Sequence, residues 1–375
     1  MFYKIENSDG KCWLMPVRNV RMGLALYQPS GWKGRLLKRW FPYVHWLKVV
    51  RRKLNIEVVE HELEEDLKRV IGSAFGVGGF EYSVFEGTPS VHRKTTIQVW
   101  RGERILGYVK LTRSEEVGRL FFQEMNFLKK ITDYRLQILT PSATLVPLRQ
   151  GDNIEGQQLL RCVPSAVALR LESGSRILIQ STRKTLRSKV VHEWGVLQKD
   201  FLRRLYEATA KEIAWEESDV AQALRDLRGH VDWLPEGVDG DVVARRIDAV
   251  MERMAGKRVM YGAYHGDFTP WNMFVEGGEL FVFDWEYAGR WYPMGLDRYH
   301  FWMQTAVFEK HWGVEELKRY MGSDEGKWID GEMLEMYVLD VMSKYVMREG
   351  GKVKELGMFG VWATINSQQS MVNRQ

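Results

Sequence analysis

The chain has 375 residues, 45% of them hydrophobic and 27% charged, which is an ordinary globular composition with room for two or three domains. Two cysteines, Cys12 and Cys162, are too few for a disulfide framework and have no metal-ligand spacing, so we expect a reducing cytoplasm. No apolar run reaches the ~18 residues of a membrane span, and no signal peptide is predicted. The formal net charge of +5 is mild but unevenly distributed.

The N-terminal 72 residues are predicted to form an extension in three parts. Residues 1–16 contain two short strands around a turn at residues 8–10. Residues 17–53, which we call the basic segment, carry ten Lys and Arg side chains and no Asp or Glu, interleaved with the aromatic residues Trp32, Trp40, Phe41, Tyr43 and Trp46. Residues 55–72 are acidic with apolar residues at helical spacing, which predicts an amphipathic helix that ends at Gly72.

Three interpretations of the basic segment stay open. The first is docking on anionic lipid or glycolipid, where each Lys or Arg contributes ~1 kcal/mol and aromatic rings favour the interface. The second, which we favour, is a helical extension whose aromatic residues pack on the protein core while the charges stay in water. The third is nucleic-acid binding, for which the sequence shows no helix-turn-helix, RNA-recognition or zinc-finger signature.

A three-stranded antiparallel sheet is predicted next, after a glycine-rich linker at residues 75–79. Its strands are residues 80–85, 95–100 and 105–111. Lys110 ends the third strand among apolar neighbours, and a buried lysine needs a partner. Glu124 follows fourteen residues later in an amphipathic helix and is the candidate partner. We therefore expect an ion pair between this strand and this helix.

The remaining elements are mostly helices. Strands are predicted at residues 143–147 and 157–163, and residues 170–256 are predicted to be mainly helical. The individual helices are residues 190–208, 218–231, 241–254 and 332–349.

The most informative stretch is residues 264–272, Tyr-His-Gly-Asp-Phe-Thr-Pro-Trp-Asn, with Asp284-Trp-Glu286 twelve residues after the Asn. Apolar runs on either side of Gly277-Gly278 predict a hairpin between the two pieces. Asp267 is placed to accept a proton from a hydroxyl, and Asn272 and Asp284 offer the hard oxygen ligands that suit Mg²⁺. An Asp, four spacers and an Asn, then a metal-binding Asp on the next strand, is the spacing of a kinase catalytic loop.

These motifs resemble the aminoglycoside phosphotransferase and choline kinase superfamily. The resemblance rests on His265-Gly-Asp-x-x-Pro-x-Asn272 and on Asp284-Trp-Glu-Tyr-Ala-Gly289. The second motif is closest to bacterial choline-kinase-like proteins, whereas protein kinases usually carry His-Arg-Asp and Asp-Phe-Gly. The resemblance implies an α+β, bilobal protein-kinase-like fold with an antiparallel sheet in the N-lobe and a mostly helical C-lobe. The predicted division is an N-terminal extension (residues 1–72), the N-lobe (residues 73–163) and the C-lobe (residues 164–375).

The resemblance also implies an activity, which is ATP-dependent phosphoryl transfer to a hydroxyl of a small molecule or glycan. Sugars, amino alcohols and aminoglycosides fit the superfamily, and the basic segment raises the case for a membrane-associated acceptor such as a lipid-linked glycan. The catalytic residues are Asp267, Asn272 and Asp284, the last two as Mg²⁺ ligands. Residues expected to contact ATP are Lys110 held by Glu124, Gly87 and Ser90 in the turn over the phosphates, and Val163 at the adenine-binding hinge, beside Cys162 and Pro164.

Several residues after Asp284 have two interpretations. The resemblance implies that Asp297 holds the catalytic loop through its backbone or His265, although by itself it is a plausible helix N-cap. Candidates for an aromatic acceptor pocket are Trp291, Tyr292, His300 and Trp302. Core packing is the alternative, and we favour it for Trp302. A kinase-like scaffold with weak catalysis is the second functional class, but all the catalytic residue types are present. The sequence has no Ala-Pro-Glu segment after Asp284, which argues against a protein kinase.

Overall fold

The computed structural model describes residues 1–27, 32–90, 93–136 and 165–350. The chain divides into two compact units. The first comprises Met1–Lys189 and Phe274–Glu286, and the second comprises Val190–Met273 and the described residues from Tyr287 onwards. The catalytic-loop motif therefore belongs to the second unit, and the hairpin that follows it belongs to the first.

The first unit is built on an eight-stranded sheet in which all neighbouring strands are antiparallel. Its strands are β1 (Phe2–Glu6), β2 (Cys12–Pro16), β3 (Glu57–Val59), β4 (Glu81–Glu86), β5 (Thr95–Arg101), β6 (Arg104–Thr112), β7 (Ala166–Arg170) and β8 (Arg176–Ser181). Their order across the sheet is β3-β1-β2-β4-β5-β6-β8-β7. The three predicted strands match β4, β5 and β6 to within one residue at each end, because alternating apolar residues such as Ile97 and Val99 are buried there.

The prediction that residues 170–256 are mainly helical is wrong at its start. Residues Arg176–Ser181 form β8, which pairs with β6 on one side and β7 on the other. Ile177, Leu178 and Ile179 are all fully buried. A short, continuous apolar run of this kind has no period that separates a buried strand from a helix, which explains the error.

The N-terminal extension is integrated into this sheet through β1, β2 and β3. The predicted acidic helix begins later than expected, because Glu57–Val59 pairs with β1 as a strand. The helix itself is α4 (Glu65–Phe75). It ends at Gly76, which adopts a left-handed φ of +64°, and not at the predicted Gly72. The other helices of the first unit are α1 (Val20–Gly23), α2 (Trp32–Val44), α3 (Lys48–Lys53) and α5 (Glu115–Leu136). The three-part domain division stays a prediction.

The second unit is mostly helical. Its helices are α6 (Val196–Thr209), α7 (Asp219–Gly229), α8 (Gly240–Met254), α9 (Leu296–Gln304), α10 (Val314–Met321) and α11 (Gly331–Glu349). A small sheet joins β9 (Lys211–Ala214), β10 (Arg258–Tyr264) and β13 (Gly289–Tyr292) in the order β13-β10-β9. Short helical turns occupy Val17–Asn19 in the first unit and Trp215–Glu217, Val231–Trp233, Pro270–Asn272, Thr305–Glu309 and Asp324–Gly326 in the second. The core of the second unit lies where α7 and α11 pack, with Leu224 and Tyr337 fully buried.

The predicted fold class is therefore confirmed: an antiparallel sheet in one unit and a helical second unit. Within the described residues, no helix is both long enough and apolar enough to cross a membrane. The predicted strands at residues 143–147 and 157–163, and with them Cys162, Val163 and Pro164, lie outside the described residues.

Candidate active site

A tight hairpin delivers Asp284 to the first unit. The strands are β11 (Met273–Glu276) and β12 (Glu279–Val282), which pair as a two-stranded sheet. Gly277 and Gly278 form the turn with φ values of +60° and +84°. Two consecutive positive φ angles define the turn type that matches the twist of a two-residue hairpin, and glycine adopts them without steric cost. The predicted hairpin is thus present, and Asp284 follows its second strand.

Lys110 lies between two carboxylates in the first unit. Its Nζ atom is 2.8 Å from Oε2 of Glu124 and 2.6 Å from Oδ1 of Asp284. Glu124 is fully buried and Lys110 is nearly so. Burial alone would lower the pKa of Lys110, but the negative charges of Asp284, Glu124 and Glu286 outweigh it and raise that pKa, so the lysine stays charged. The predicted strand-to-helix ion pair is present.

Glu124 is held in place by further donors. Its Oε1 atom accepts hydrogen bonds from the backbone N–H of Trp285 at 2.8 Å and from the Gln180 side chain at 2.8 Å. Both donors are buried, so the carboxylate satisfies them without solvent. The bond to Trp285 ties α5 to the backbone directly after Asp284, which fixes the position of Asp284 relative to Lys110.

Asp284 itself has an unusual backbone. Its φ is +68°, in the left-handed region that residues other than glycine adopt infrequently. Asp and Asn tolerate this region better than most side chains, at a cost of ~1 kcal/mol or more. Backbone strain of this kind persists where surrounding contacts hold it, and here the Lys110 ion pair and the Trp285 hydrogen bond lie on either side.

A second ion pair, which we did not predict, adjoins the first. Lys94 pairs with Glu286, of which Glu286 is buried and Lys94 is partly exposed. One oxygen each from Glu124, Asp284 and Glu286 lie within 4.8 Å of one another. Burial and the nearby Asp284 charge raise the pKa of Glu286. The Asp284-Trp-Glu286 motif could have identified Glu286 as a site residue, but nothing in the sequence predicts its ion pair with Lys94.

This carboxylate cluster fits a divalent cation. Three carboxylate groups converge, and hard oxygen atoms are the ligands that Mg²⁺ prefers. Their negative charge exceeds the positive charge of Lys94 and Lys110, so a cation would lower the repulsion among them.

In the second unit, Asp267 and Asn272 are in direct contact. The Nδ2 group of Asn272 donates to Oδ2 of Asp267 at 2.8 Å and to the Asp267 backbone carbonyl at 3.0 Å. Asn272 ends a short turn that begins at Pro270, directly before β11. The amide nitrogen of Asn272 therefore orients Asp267, while a metal ligand role would use the amide oxygen instead.

The other oxygen of Asp267 faces a histidine. Nε2 of His300 is 3.0 Å from Oδ1 of Asp267, and Nδ1 of His300 is 3.2 Å from the hydroxyl of Tyr337. His300 and Tyr337 are both buried, on α9 and α11. The sequence suggests His300 only as a candidate for an acceptor pocket. It does not predict the contact with Asp267, because helical spacing alone does not show which face of the helix meets the loop.

Asp297 holds the backbone of the catalytic loop. Its two carboxylate oxygens accept the N–H groups of His265 at 2.9 Å and of Gly266 at 3.1 Å. Nδ1 of His265 in turn accepts the N–H of Asp267 at 3.2 Å. The structure thus places Asp297 where the resemblance implied, and gives His265 a structural role.

Burial makes the Asp297 carboxylate costly to ionise. It raises the pKa of Asp297 from 3.8 to about 6, although the two backbone hydrogen bonds act in the opposite direction. Gly266, which provides one of these two N–H groups, has a φ of +80°, and a Cβ atom there would lie 2.3 Å from the backbone oxygen of Tyr287. Only glycine fits this position.

The remaining predicted residues fall into three groups. Gly87 and Ser90 lie in the loop after β4, where Gly87 N–H donates to the Lys94 carbonyl at 3.3 Å. Tyr292 and Trp302 are buried in the helical core, so core packing explains both, and Trp291 is half-buried beside it. Val163 lies outside the described residues.

A family model matches the part of the chain that carries these motifs. Residues 163–330 match the phosphotransferase enzyme family. This range includes the catalytic loop, the hairpin and Asp297, on which the predicted resemblance rests. No curated protein sequence matches the chain.

Several solved structures are similar to this chain at low sequence identity. A Haemophilus somnus 129PT protein assigned as a fructosamine-3-kinase is 10% identical, with 81% of this chain and 97% of that chain covered and a TM-score of 0.45. A thermostable mutant of aminoglycoside phosphotransferase APH(4)-Ia, in a ternary complex with AMP-PNP and hygromycin B, is 14% identical, with 82% and 98% covered and a TM-score of 0.47. Amicoumacin kinase hAmiN, in complex with AMP-PNP, Ca²⁺ and Ami, is 16% identical, with 89% and 95% covered and a TM-score of 0.38.

The nucleotides, antibiotics and ion named above are ligands of those proteins and are not assigned to this chain. The choline-kinase side of the predicted resemblance also stays a prediction. The match over residues 163–330 supports a phosphotransferase enzyme of the kinase type.

Proposed function

We propose that the protein transfers the γ-phosphoryl group of ATP to a hydroxyl group of a small molecule or glycan. The observation that carries the proposal is the environment of Asp267. One of its oxygens is held by Asn272 at 2.8 Å and the other by His300 at 3.0 Å. A carboxylate fixed at both oxygens is suited to orient a hydroxyl and accept its proton.

The reaction balances with groups that this chain provides. The acceptor oxygen attacks the γ-phosphorus, the bond from that phosphorus to the β,γ-bridging oxygen breaks, and ADP leaves. The acceptor proton passes to Asp267 and from there to solvent. Because phosphoryl transfer requires little covalent catalysis by the protein, most of the acceleration comes from positioning the reactants and neutralising charge.

The lysine and the carboxylates have separate roles. Lys110, aligned by Glu124, binds phosphate oxygens of ATP, as the buried lysine-glutamate pair of kinases does. Asp284 and Glu286 are the residues of the first unit that would hold Mg²⁺. From the sequence motif we also propose the amide oxygen of Asn272 as a Mg²⁺ ligand. When bound, Mg²⁺ neutralises the phosphate charge that develops during transfer. Gly87 and Ser90 are proposed to cover the phosphates, and Val163 to meet the adenine.

The acceptor is proposed as a class and not as one compound. A sugar, an amino alcohol or an aminoglycoside suits a single general base. Among these acceptors, a lipid-linked glycan would be held at a membrane. The basic segment of this chain could then serve to bring the protein to that acceptor. We propose a cytoplasmic location, where ATP is available.

The test is a screen of ATP consumption against pooled sugars, amino alcohols, aminoglycosides and lipid-linked glycans. We expect one pool to stimulate ADP release, and Asp267→Asn to reduce that rate by at least ~1,000-fold with an unchanged melting temperature. Asp324→Asn is the matched control, because Asp324 is exposed and lies on the helical turn Asp324–Gly326. Full turnover by Asp267→Asn would rule out Asp267 as the base.

A further inference from the structure

Helix α2 exposes a continuous apolar stripe to solvent. Four residues at helical spacing form it, and we call them the aromatic stripe: Trp32 (65% exposed), Leu36 (51%), Trp40 (53%) and Tyr43 (71%). Residues spaced by four, four and three lie on one face of a helix. Trp46 and Val49, at 67% and 77% exposed, continue the apolar surface towards α3. Large side chains this exposed and this contiguous mark an interaction site.

The aromatic stripe cannot turn inwards, because the opposite face of α2 is already packed. Phe41 is 1% exposed and lies in the apolar core between the sheet and α2. Its ring meets the ring of Tyr3 edge-on at 5.4 Å. The Tyr3 hydroxyl donates to the backbone oxygen of His45 at 3.2 Å, just after α2 ends. The helix is therefore anchored on one face and apolar on the other.

This outcome corrects our favoured interpretation of the basic segment. Packing on the core accounts for Phe41 but not for the other aromatic residues. Trp32, Trp40, Tyr43 and Trp46 all stay exposed.

The charged side chains of the basic segment itself are all positive. No Asp or Glu occurs between residues 17 and 56. Exposed basic side chains flank the stripe on α2 and continue along α3: Lys33, Arg35, Arg39, Lys48, Arg52 and Lys53. Lys33 and Arg39 lie 5.8 Å from the rings of Trp32 and Trp40. The surface therefore combines Trp and Tyr rings, the aliphatic side chains of Leu36 and Val49, and a high density of positive charge.

The combination of aromatic, aliphatic and basic side chains favours a lipid bilayer over nucleic acid or a second copy of this chain as the partner. Trp and Tyr concentrate at the boundary between lipid headgroups and acyl chains, and Lys and Arg favour anionic headgroups. A helix with a Trp- and Leu-rich apolar face and a basic remainder lies in the interface plane. Nucleic acid would use the charges but would leave Leu36 and Val49 without a role. A second copy of this chain would bring the same positive charge against itself.

We propose that residues 32–53 form a docking surface for an anionic lipid bilayer. The aromatic stripe enters the boundary between headgroups and acyl chains, and the flanking Lys and Arg side chains contact anionic headgroups. Helix α2, with 13 residues, lies along the membrane surface and does not cross it. This proposal does not depend on the proposed phosphoryl transfer, although a lipid-linked acceptor would unite the two.

The test is binding of the full-length protein to vesicles, with neither ATP nor an acceptor present. Vesicles of phosphatidylcholine with roughly 30% phosphatidylglycerol, which provides a negative surface potential, are compared with vesicles of phosphatidylcholine alone by co-flotation. We expect the protein to bind only the anionic vesicles. This binding should weaken with added salt, which screens the electrostatic attraction. Trp32→Ala/Trp40→Ala should weaken it on the order of tenfold. Arg52→Glu/Lys53→Glu should weaken it by at least ~10-fold, since each basic residue contributes roughly fivefold.

The control variant is Lys129→Glu/Lys130→Glu, which makes the same change in charge on the exposed face of α5. We expect it to bind within about twofold of wild type at moderate salt, because screening limits distant charges. Equal losses in this control and in Arg52→Glu/Lys53→Glu would overturn the proposed site. Absence of binding by the wild type would overturn the proposal, and a wild-type dimer that Trp32→Ala/Trp40→Ala dissociates would replace it with a protein interface.

A measurement on the wild type alone avoids any folding defect in the variants. Lipids brominated in the acyl chain quench tryptophan that reaches the boundary. We expect quenching in anionic vesicles and none in phosphatidylcholine. Binding without quenching would show purely electrostatic adsorption and would overturn the role of the aromatic stripe.

Discussion

At the residue scale, the proposed chemistry depends on hydrogen bonds and ion pairs that hold each polar side chain in one position. Asp267 has one oxygen on Asn272 and the other on His300, and Lys110 lies between two carboxylates. The contacts of Asp267 with His300 and of Lys110 with Asp284 join residues 33 and 174 positions apart, so spacing in the sequence does not predict them. The ion pair of Lys110 with Glu124 was predicted, whereas that of Lys94 with Glu286, 192 residues apart, was not.

His300 is expected to act as a positioning residue for Asp267. His300→Leu removes the 3.0 Å contact and should lower kcat roughly 10- to 100-fold, since a hydrogen bond to a charged group contributes ~1.5–3 kcal/mol. KM for ATP should not change. His300→Gln keeps a donor and should recover part of the loss. Steady-state kinetics of both variants, with melting temperatures, check this; a rise in KM with constant kcat would contradict it.

Asp297 should make the stability of the protein depend on pH. Its folded-state pKa is raised to about 6, above the ordinary 3.8, so the folded protein holds this proton more tightly than the unfolded chain. The contribution of Asp297 to the free energy of unfolding therefore falls as pH rises from about 4 to 6. Asp297→Asn cannot ionise and lacks this dependence.

Urea unfolding at pH 7.5 and 4.5 tests this expectation. The wild type should gain on the order of 2 kcal/mol relative to Asp297→Asn on going to the lower pH. At both pH values the variant should also lose ~1–3 kcal/mol, because an amide cannot accept from both backbone N–H groups. Parallel pH profiles for the two proteins would show that the Asp297 pKa is close to its ordinary value.

At the element scale, two turns do most of the positioning. The loop at Gly266 brings the backbone to Asp297, and the turn at Gly277 and Gly278 reverses the chain between β11 and β12. Both need positive φ, but only Gly266 is also crowded. This difference provides a matched pair of variants.

Gly266→Ala should be far more damaging than Gly277→Ala. Both place alanine at a positive φ, which costs ~1–2 kcal/mol. At Gly266 the new methyl group would also lie 2.3 Å from the Tyr287 oxygen, whereas at Gly277 nothing lies within 4 Å. We expect at least ~3 kcal/mol of destabilisation and lost activity for the former. Thermal unfolding of both variants decides the point, and equal losses would remove the steric argument.

The elements also show which signals a sequence carries. Strands β4 to β6 and helices α7, α8 and α11 were predicted closely, because their apolar residues follow a clear period and caps such as Ser218 mark their ends. Strand β8 was missed because its apolar run is continuous. The start of α4 was missed because residues 57–59 gain more from pairing with β1 than helix propensity offers. Side-chain pairs set by tertiary packing, such as Asp267 with His300, had no local signal.

At the scale of the whole molecule, the predicted catalytic and ATP-contacting residues are divided between the two compact units. Lys110, Glu124 and Asp284 belong to the first, and Asp267 and Asn272 to the second. Binding of a ligand to the folded protein raises its stability in proportion to the logarithm of ligand concentration over Kd, whichever unit provides the contacts.

Mg·ATP should therefore raise the unfolding temperature. At an ATP concentration 100 times Kd the gain is ~2.7 kcal/mol. Asp284→Asn keeps the size of the side chain but removes a charge from the carboxylate cluster, so most of the Mg²⁺-dependent part of this gain should disappear. Differential scanning fluorimetry with ATP, with and without Mg²⁺, makes the comparison. An identical shift in both proteins would mean that the cation binds elsewhere.

The left-handed backbone at Asp284 affects how mutational scans of this protein are to be interpreted. Every β-branched or bulky replacement at this position strains the main chain before any question of catalysis arises. Abundance scores from such a scan would fall for valine and isoleucine yet hold for asparagine and glycine, while growth scores that require turnover would fall for all four. Comparing those two scores at a single codon would separate what the polypeptide needs in order to fold from what its chemistry needs.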